Sequence, residues 1–331
     1  MATFSINRSI IATLVVLGGL ALLPLYAAWA GQPYYLTLFA RIMVFALAAV
    51  GLNLVLGFGG LVSFGHALYV GIGAYAVGIL SFHELTNGWL HLITALAAAA
   101  LFALAIGSVV VRTAGMTFIM ITLAFAQMGY FLAVSLKQYG GDDGLPIAAR
   151  SVLGLVDLNN NTTLYYAIFT SLVVVLWLLS RLLGARFGLA LRGIKANERR
   201  LLALGYASFQ YKLVAYVLSA MICGLAGFWL ANLTKFAAPS YMAWSASGEL
   251  IVMCVLGGMA VLLGPVVGAI VLLLLEEILS NYKPGWSPAF EELLANHWLG
   301  VIGLFIFALA LLARHGILGA WLARAESKIY K

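Results

Sequence analysis

The sequence predicts an all-α, polytopic helical membrane protein with about ten transmembrane spans, compatible with a 5+5 inverted repeat. Three observations predict this. Of the 331 residues, 64% are hydrophobic and only 9% charged. Soluble domains carry about 25% charged residues, so this chain cannot cover a water-facing surface of its size, and a mean hydropathy of +1.06 agrees. The apolar residues fall in long unbroken runs, whereas barrel strands alternate polar and apolar. The basic residues are sided: with the N-terminus inside, thirteen of the 18 Lys and Arg fall on the inner side.

A helix needs about 20 apolar residues to cross a ~30 Å hydrocarbon core. The runs place spans near 10–30, 36–56, 61–81, 90–111, 116–136, 164–182, 213–231, 249–263, 265–279 and 297–313. The first ends in Ala28-Trp29-Ala30, which resembles a signal-peptidase site. The run before it is longer than a signal core of about 7–15 residues, so a retained first helix is expected. Residues 249–279 are too long for one span and short for two. Gly264-Pro265 interrupts them, because proline removes a backbone donor and clashes with the preceding turn. Two short spans or one re-entrant hairpin both keep the charge sidedness. The chain reads as one membrane domain, 1–331, with a long inner loop, 184–212, an outer loop, 137–163, and both termini inside.

A net charge of +7 here reflects this sidedness rather than nucleic-acid binding. Cys223 and Cys254 lie inside apolar runs and read as small buried hydrophobes. The five histidines are scattered, and no Gly-rich loop with Lys-Ser/Thr occurs, so neither a metal nor an ATP site is expected and no cofactor is required. No convergent catalytic constellation appears, which argues against an enzyme. Glu249, Glu276 and Glu277 fall near span ends, which weakens an ion-coupled carrier.

Three stretches stand out. From Gly51 to Tyr75 the chain is glycine-rich and carries Asn53, Ser63 and His66 at membrane depth. Two readings stand: a bent helix lining a path, with Gly71, Gly73 and Tyr75 beside these polar groups, or glycine-mediated helix packing. Thr122, Gln127 and Tyr130 carry the same pair of readings; Gln127 and Tyr130 share a helix face. In the inner loop, Asn197 is a plausible N-cap and Gly205 a plausible terminator, which predicts a short amphipathic helix over 197–205, lying along the membrane or docking a soluble partner. The outer loop holds Tyr139-Gly140-Gly141-Asp142-Asp143-Gly144-Leu145-Pro146, turn residues without the ligand set of a calcium loop.

Taken in order, these stretches resemble the branched-chain amino acid ABC transporter permease family, LivM-type subunit, over about residues 35–313. The resemblance rests on Gly51-Leu52-Asn53-Leu54 through Gly73-Ala74-Tyr75, on Gly140 to Leu145, on Arg192 to Gly205, and on Val255-Leu256-Gly257-Gly258-Met259 with Gly264-Pro265 and Gly268-Ala269. It implies a non-catalytic permease subunit of a binding-protein-dependent importer in the bacterial plasma (inner) membrane. Its implied partners are a homologous second permease, two cytoplasmic ATP-binding subunits, which would bind the ATP, and an extracytoplasmic solute-binding protein. The inner loop then matches the ATPase-coupling loop, with Arg192, Glu198, Arg199, Arg200, Ala203 and Gly205 as its contact residues. Ala260-Val261 and Tyr139 depart from the family's usual residues, which leaves urea or short amides open beside leucine, isoleucine and valine. An ATP-independent secondary transporter is the rival reading.

Overall fold

The computed structural model describes residues 2–154, 157–281, 300–308 and 316–319. Ten helices bear on the argument: α1 (Ala2–Ala30), α2 (Tyr34–Asn53), α3 (His66–Phe82), α4 (Gly88–Val110), α5 (Met116–Ser135), α6 (Asn161–Gly184), α7 (Arg186–Ala203), α8 (Ser208–Thr234), α9 (Trp244–Gly257) and α10 (Gly264–Asn281). Residues 300–308 are also helical. A π-helical turn, Leu54–Phe58, prolongs α2. A two-stranded ribbon pairs β1 (Leu145–Pro146) antiparallel with β2 (Phe236–Ala237), Leu145 opposite Ala237.

The helices run between two ends of one bundle. α8, 27 residues long, leads from α7 to the ribbon, about 40 Å at 1.5 Å per residue. α2 ends against α7, since Lys195 reaches the Gly57 carbonyl. α3 runs the other way, and His83 after its last turn meets Tyr139 beside the ribbon. Among the described residues, five helical stretches are long and apolar enough to cross a membrane: Tyr34–Phe58, α4, α5, α6 and α8. The expected count of ten therefore does not follow from helix length. α3, with 17 residues, and α9, with 14, are too short to cross alone, at about 25 and 21 Å.

Small residues let the central helices touch. α8 packs on α2, α3 and α4. A Cβ at Gly73 would collide with the Gly224 carbonyl, and one at Gly227 with the Val70 carbonyl. Without a hydrophobic driving force between helices in lipid, such close backbone approach supplies much of the attraction. The Cys223 and Cys254 thiols point at the α2 carbonyls of Ala48 and Ala49, 3.5 and 3.2 Å away. Both are free and buried, as small core residues should be.

Four segment readings can be set beside the structure. Residues 61–65 are not helical, so the third span starts at His66. The 249–279 region is two helices, with Gly264-Pro265 opening α10 in the position where a missing N–H costs least. The long loop at 184–212 is largely helical, as α7. Of the last expected span, 297–313, only 300–308 lie within the described residues.

Candidate coupling and gating site

Two interrupted helices enter the bundle from opposite ends and meet inside it. From the α7 end, α2 stops in the π turn, the chain is irregular through 60–64, and α3 begins at His66. From the ribbon end, residues 238–243 descend along α3, with Met242 filling the space beside Gly71, and α9 begins at Trp244. Their first turns join where the Ala67 amide donates to Ser247 Oγ at 3.0 Å. Two further hydroxyls satisfy the backbone of the interruption. Ser63 Oγ accepts from the Gly65 amide at 3.2 Å, and Thr122 Oγ1 of α5 accepts from the Phe64 amide at 3.2 Å. Irregular backbone at membrane depth persists only when its polar groups find partners in this way.

The polar groups expected to line a path divide by surroundings. Ser63 and His66 are fully buried, the Nδ1 of His66 lies 2.8 Å from Ser63 Oγ, and its ring stands edge-on to Tyr69 and Tyr216. The Tyr69 and Tyr216 hydroxyls bond to each other at 3.0 Å. Asn53 ties the end of α2 to the turn between α9 and α10: its Nδ2 donates to the Val261 carbonyl at 3.0 Å and its Oδ1 accepts from the Ala260 amide. Gly71 and Gly73 pack against Met242 and α8. Tyr75 lines a 540 Å³ apolar cavity between α3, α4 and α5, and its hydroxyl has no partner among the described residues. Thr122 joins the Ser63–His66 region through the Phe64 amide, and Gln127 and Tyr130 lie half-buried further along α5.

At the other end, α7 is two helical segments joined at Asn197, whose φ of −161° and ψ of 96° break the turn. Asn197 Oδ1 accepts from the Arg200 amide at 3.0 Å, so it caps the second segment as the sequence suggests. Gly205 closes that segment at φ +84°, where a Cβ is disfavoured. The Tyr206 amide returns to the Leu201 carbonyl and the Gly205 amide to Leu202, which is a Schellman ending. Arg199, Arg200, Ala203 and Gly205 are exposed, together with Leu202, Leu204 and Tyr206.

Two of the expected contact residues, exposed Arg192 and half-buried Glu198, also hold α7 in place. Arg192 donates to the Leu183 carbonyl at 2.6 Å and to Gly188 at 3.2 Å, which fixes α7 to the end of α6. Glu198 pairs with Lys212 of α8 at 2.6 Å and accepts from Ser208 Oγ at 2.9 Å. Burial works against the Glu198 charge, but the hydrogen bonds from Lys212 and Ser208 outweigh it and hold the carboxyl below its ordinary value.

Lys195 was not singled out by the sequence. Its Nζ donates to the Gly57 carbonyl at 2.6 Å. The Asn53 side chain shares that π turn, and a Cβ on Gly57 would collide with it. A continuous chain thus runs from α7 through Lys195 and Gly57 to Asn53 and the α9–α10 turn. The first half of α7 was also missed, although Phe187, Leu191 and Ile194 repeat at helical spacing and Leu191 and Ile194 are buried.

Residues 34–318 match the family described as branched-chain amino acid transport system / permease component. The high-affinity branched-chain amino acid transport system permease protein LivM of Escherichia coli is 26% identical over 265 residues, and that of Salmonella typhimurium 24%. Each alignment covers 73% of this chain and 62% of the relative, so the chain spans less than two thirds of those proteins. No solved structure matches. With a match over most of its length and a membrane-type helical bundle to fit it, the chain belongs to the permease-component family of branched-chain amino acid transport systems.

Proposed function

We propose that this chain is one permease subunit of a binding-protein-dependent ABC importer for branched-chain, hydrophobic amino acids. It spans the bacterial plasma membrane with α7 and both termini on the cytoplasmic side and the β1–β2 ribbon outside. The observation that carries the reading is the attachment of α7. Its second segment exposes Leu202, Leu204 and Tyr206 beside Arg199 and Arg200, and its first segment is bolted to the interrupted helices through Lys195. A soluble ATPase gripping the exposed turn therefore moves a lever whose other arm is the crossing of α3 and α9.

Closure of two cytoplasmic ATP-binding subunits would shift α7, the Lys195–Gly57 and Asn53 links would carry the shift to both half-helices, and their separation would open the path in turn to each side. A solute-binding protein delivers at the ribbon end, and a homologous second permease completes the pore. This chain performs no chemistry and needs no cofactor of its own. The test is uptake of leucine, and separately of urea, by the purified complex in proteoliposomes, with and without its ATP-binding subunits. Leucine uptake that requires those subunits and ATP is expected. Uphill uptake by this chain without them would overturn the reading.

A further inference from the structure

We propose that a second, smaller cavity at the crossing is the permease's own amino acid site, taking a zwitterionic α-amino acid with an aliphatic side chain. Its carboxylate faces Arg41 and its ammonium faces Glu249. The proposal rests on the transport reading above and adds where and how the permease itself holds its cargo.

The cavity has a volume of about 280 Å³ and lies between α2, α3, α8, the 239–242 turn and α9. That is the small end of ligand sites, which start at roughly 300 Å³. Ala67 of α3 and Ser245 and Ala246 of α9 line it, so the first turns of both half-helices form its walls. Helix starts favour an anion, and transporters built on interrupted helices hold substrates where such starts converge.

The charges in the wall are the stronger argument. Arg41 lies seven residues into α2, about 10 Å from its start. Glu249 lies in the second turn of α9. Both line the cavity, and neither is in an ion pair among the described residues, where the ion pair formed is Lys212–Glu198. Arg41 stacks on the Phe45 ring at 5.7 Å. Among the described residues it meets neither Glu249 nor Glu276 of α10 within salt-bridge distance. Charges within a membrane span are costly and are kept where they meet each other, water or a charged ligand. A cation and an anion lining one cavity from two helices, not closed on each other, match a ligand that carries both signs.

The remaining wall supplies the rest of the specificity. Phe45, Val70, Leu230 and Leu250 give an apolar surface for an aliphatic side chain. The larger cavity beside Tyr75 is lined by apolar side chains with one hydroxyl, and no charge there could hold a zwitterion.

The test is equilibrium binding of tritiated leucine to the whole complex in nanodiscs with no binding protein present, with uptake measured on the same preparation. Competition by isopentylamine, which lacks the carboxylate, and 4-methylpentanoate, which lacks the ammonium, reads each charge separately. The wild type should retain leucine, and each analogue should compete about tenfold or more weakly, the scale of one charge-assisted hydrogen bond. Arg41→Ala should lose about tenfold or more in leucine retention and bind isopentylamine as well as leucine. Glu249→Gln should do the same for 4-methylpentanoate, and it keeps the side-chain shape should Arg41→Ala fail to assemble. Retained ATP hydrolysis identifies folded variants. If wild type imports leucine but both variants retain it unchanged, the site is overturned and the transport reading stands. If the wild-type complex neither imports nor retains leucine, both fall.

Discussion

Glu198 shows how single side chains set the coupling segment. It is 37% exposed, yet Lys212 and Ser208 hold it ionised below the usual carboxylate value. A carboxyl whose value is lowered by folding contributes stability above its unfolded value, about 4.3. That contribution is lost as pH falls through the lowered value. Attachment of α7 to α8 should therefore weaken on acidification below about pH 4. Hydrogen exchange of the 198–208 amides should rise there in wild type, whereas Glu198→Gln should exchange fast at neutral pH and respond little to acid. Gly73 is a second such point. In Gly73→Ala the new Cβ meets the Gly224 backbone carbonyl, which cannot move aside as a side chain can. A loss of about 1–3 kcal/mol is expected, read as a lower melting temperature in detergent. An unchanged melting temperature would show that α3 and α8 do not pack as described.

Among the elements, α7 and the interrupted helices differ in how far the sequence reveals them. The cap at Asn197 and the ending at Gly205 were legible because both are local: a side chain and a positive φ act within a turn of their own position. The first half of α7 was obscured by Gly188 and Gly193, which lower helix propensity, although its apolar repeat was present. Ser247, Lys195 and Arg41 carried no local signal, since each acquires its role from a helix far away in the chain. Asn53 was noticed as a polar group at depth, but its tie to Ala260 and Val261 depends on tertiary packing. Asn197→Ala should cost about 1 kcal/mol of local stability and raise exchange of residues 198–203 while the bundle is unaffected. Gly205→Asp tests docking: aspartate tolerates the left-handed conformation better than most residues, so the segment should fold with a carboxylate on its exposed face. The complex should then insert normally and transport little. Full transport by that variant would remove α7 from the coupling role.

For the molecule as a whole, composition was enough to give a membrane protein, because a chain with so few charges cannot cover a water-facing surface, and the unbroken apolar runs made it helical. The number of crossings was less accessible, since α3 and α9 are half-length helices continued by irregular chain. The helices do show an antiparallel correspondence. α2 and α8 run in opposite directions, each leads into an interruption, and the half-helices that follow, α3 and α9, touch at their starts. Opposed halves of this kind are what an inverted repeat predicts. The correspondence was faint in the sequence because the two interruptions share geometry rather than residues. The assigned orientation predicts that cysteine introduced at Asp143→Cys reacts with an impermeant thiol reagent in intact cells. Cysteine at Ala203→Cys should react only after the membrane is opened. The native Cys223 and Cys254 are buried and should stay silent in both.

The claim on which the mechanism turns is that motion entering at α7 reaches the half-helices through the Lys195 link to the Gly57 carbonyl. Lys195→Met keeps the length of the side chain and removes its donor. The most direct measurement is the ratio of leucine imported to ATP hydrolysed by the reconstituted complex carrying that substitution. Hydrolysis near the wild-type rate with import reduced at least tenfold is the predicted result, and an unchanged ratio would contradict it.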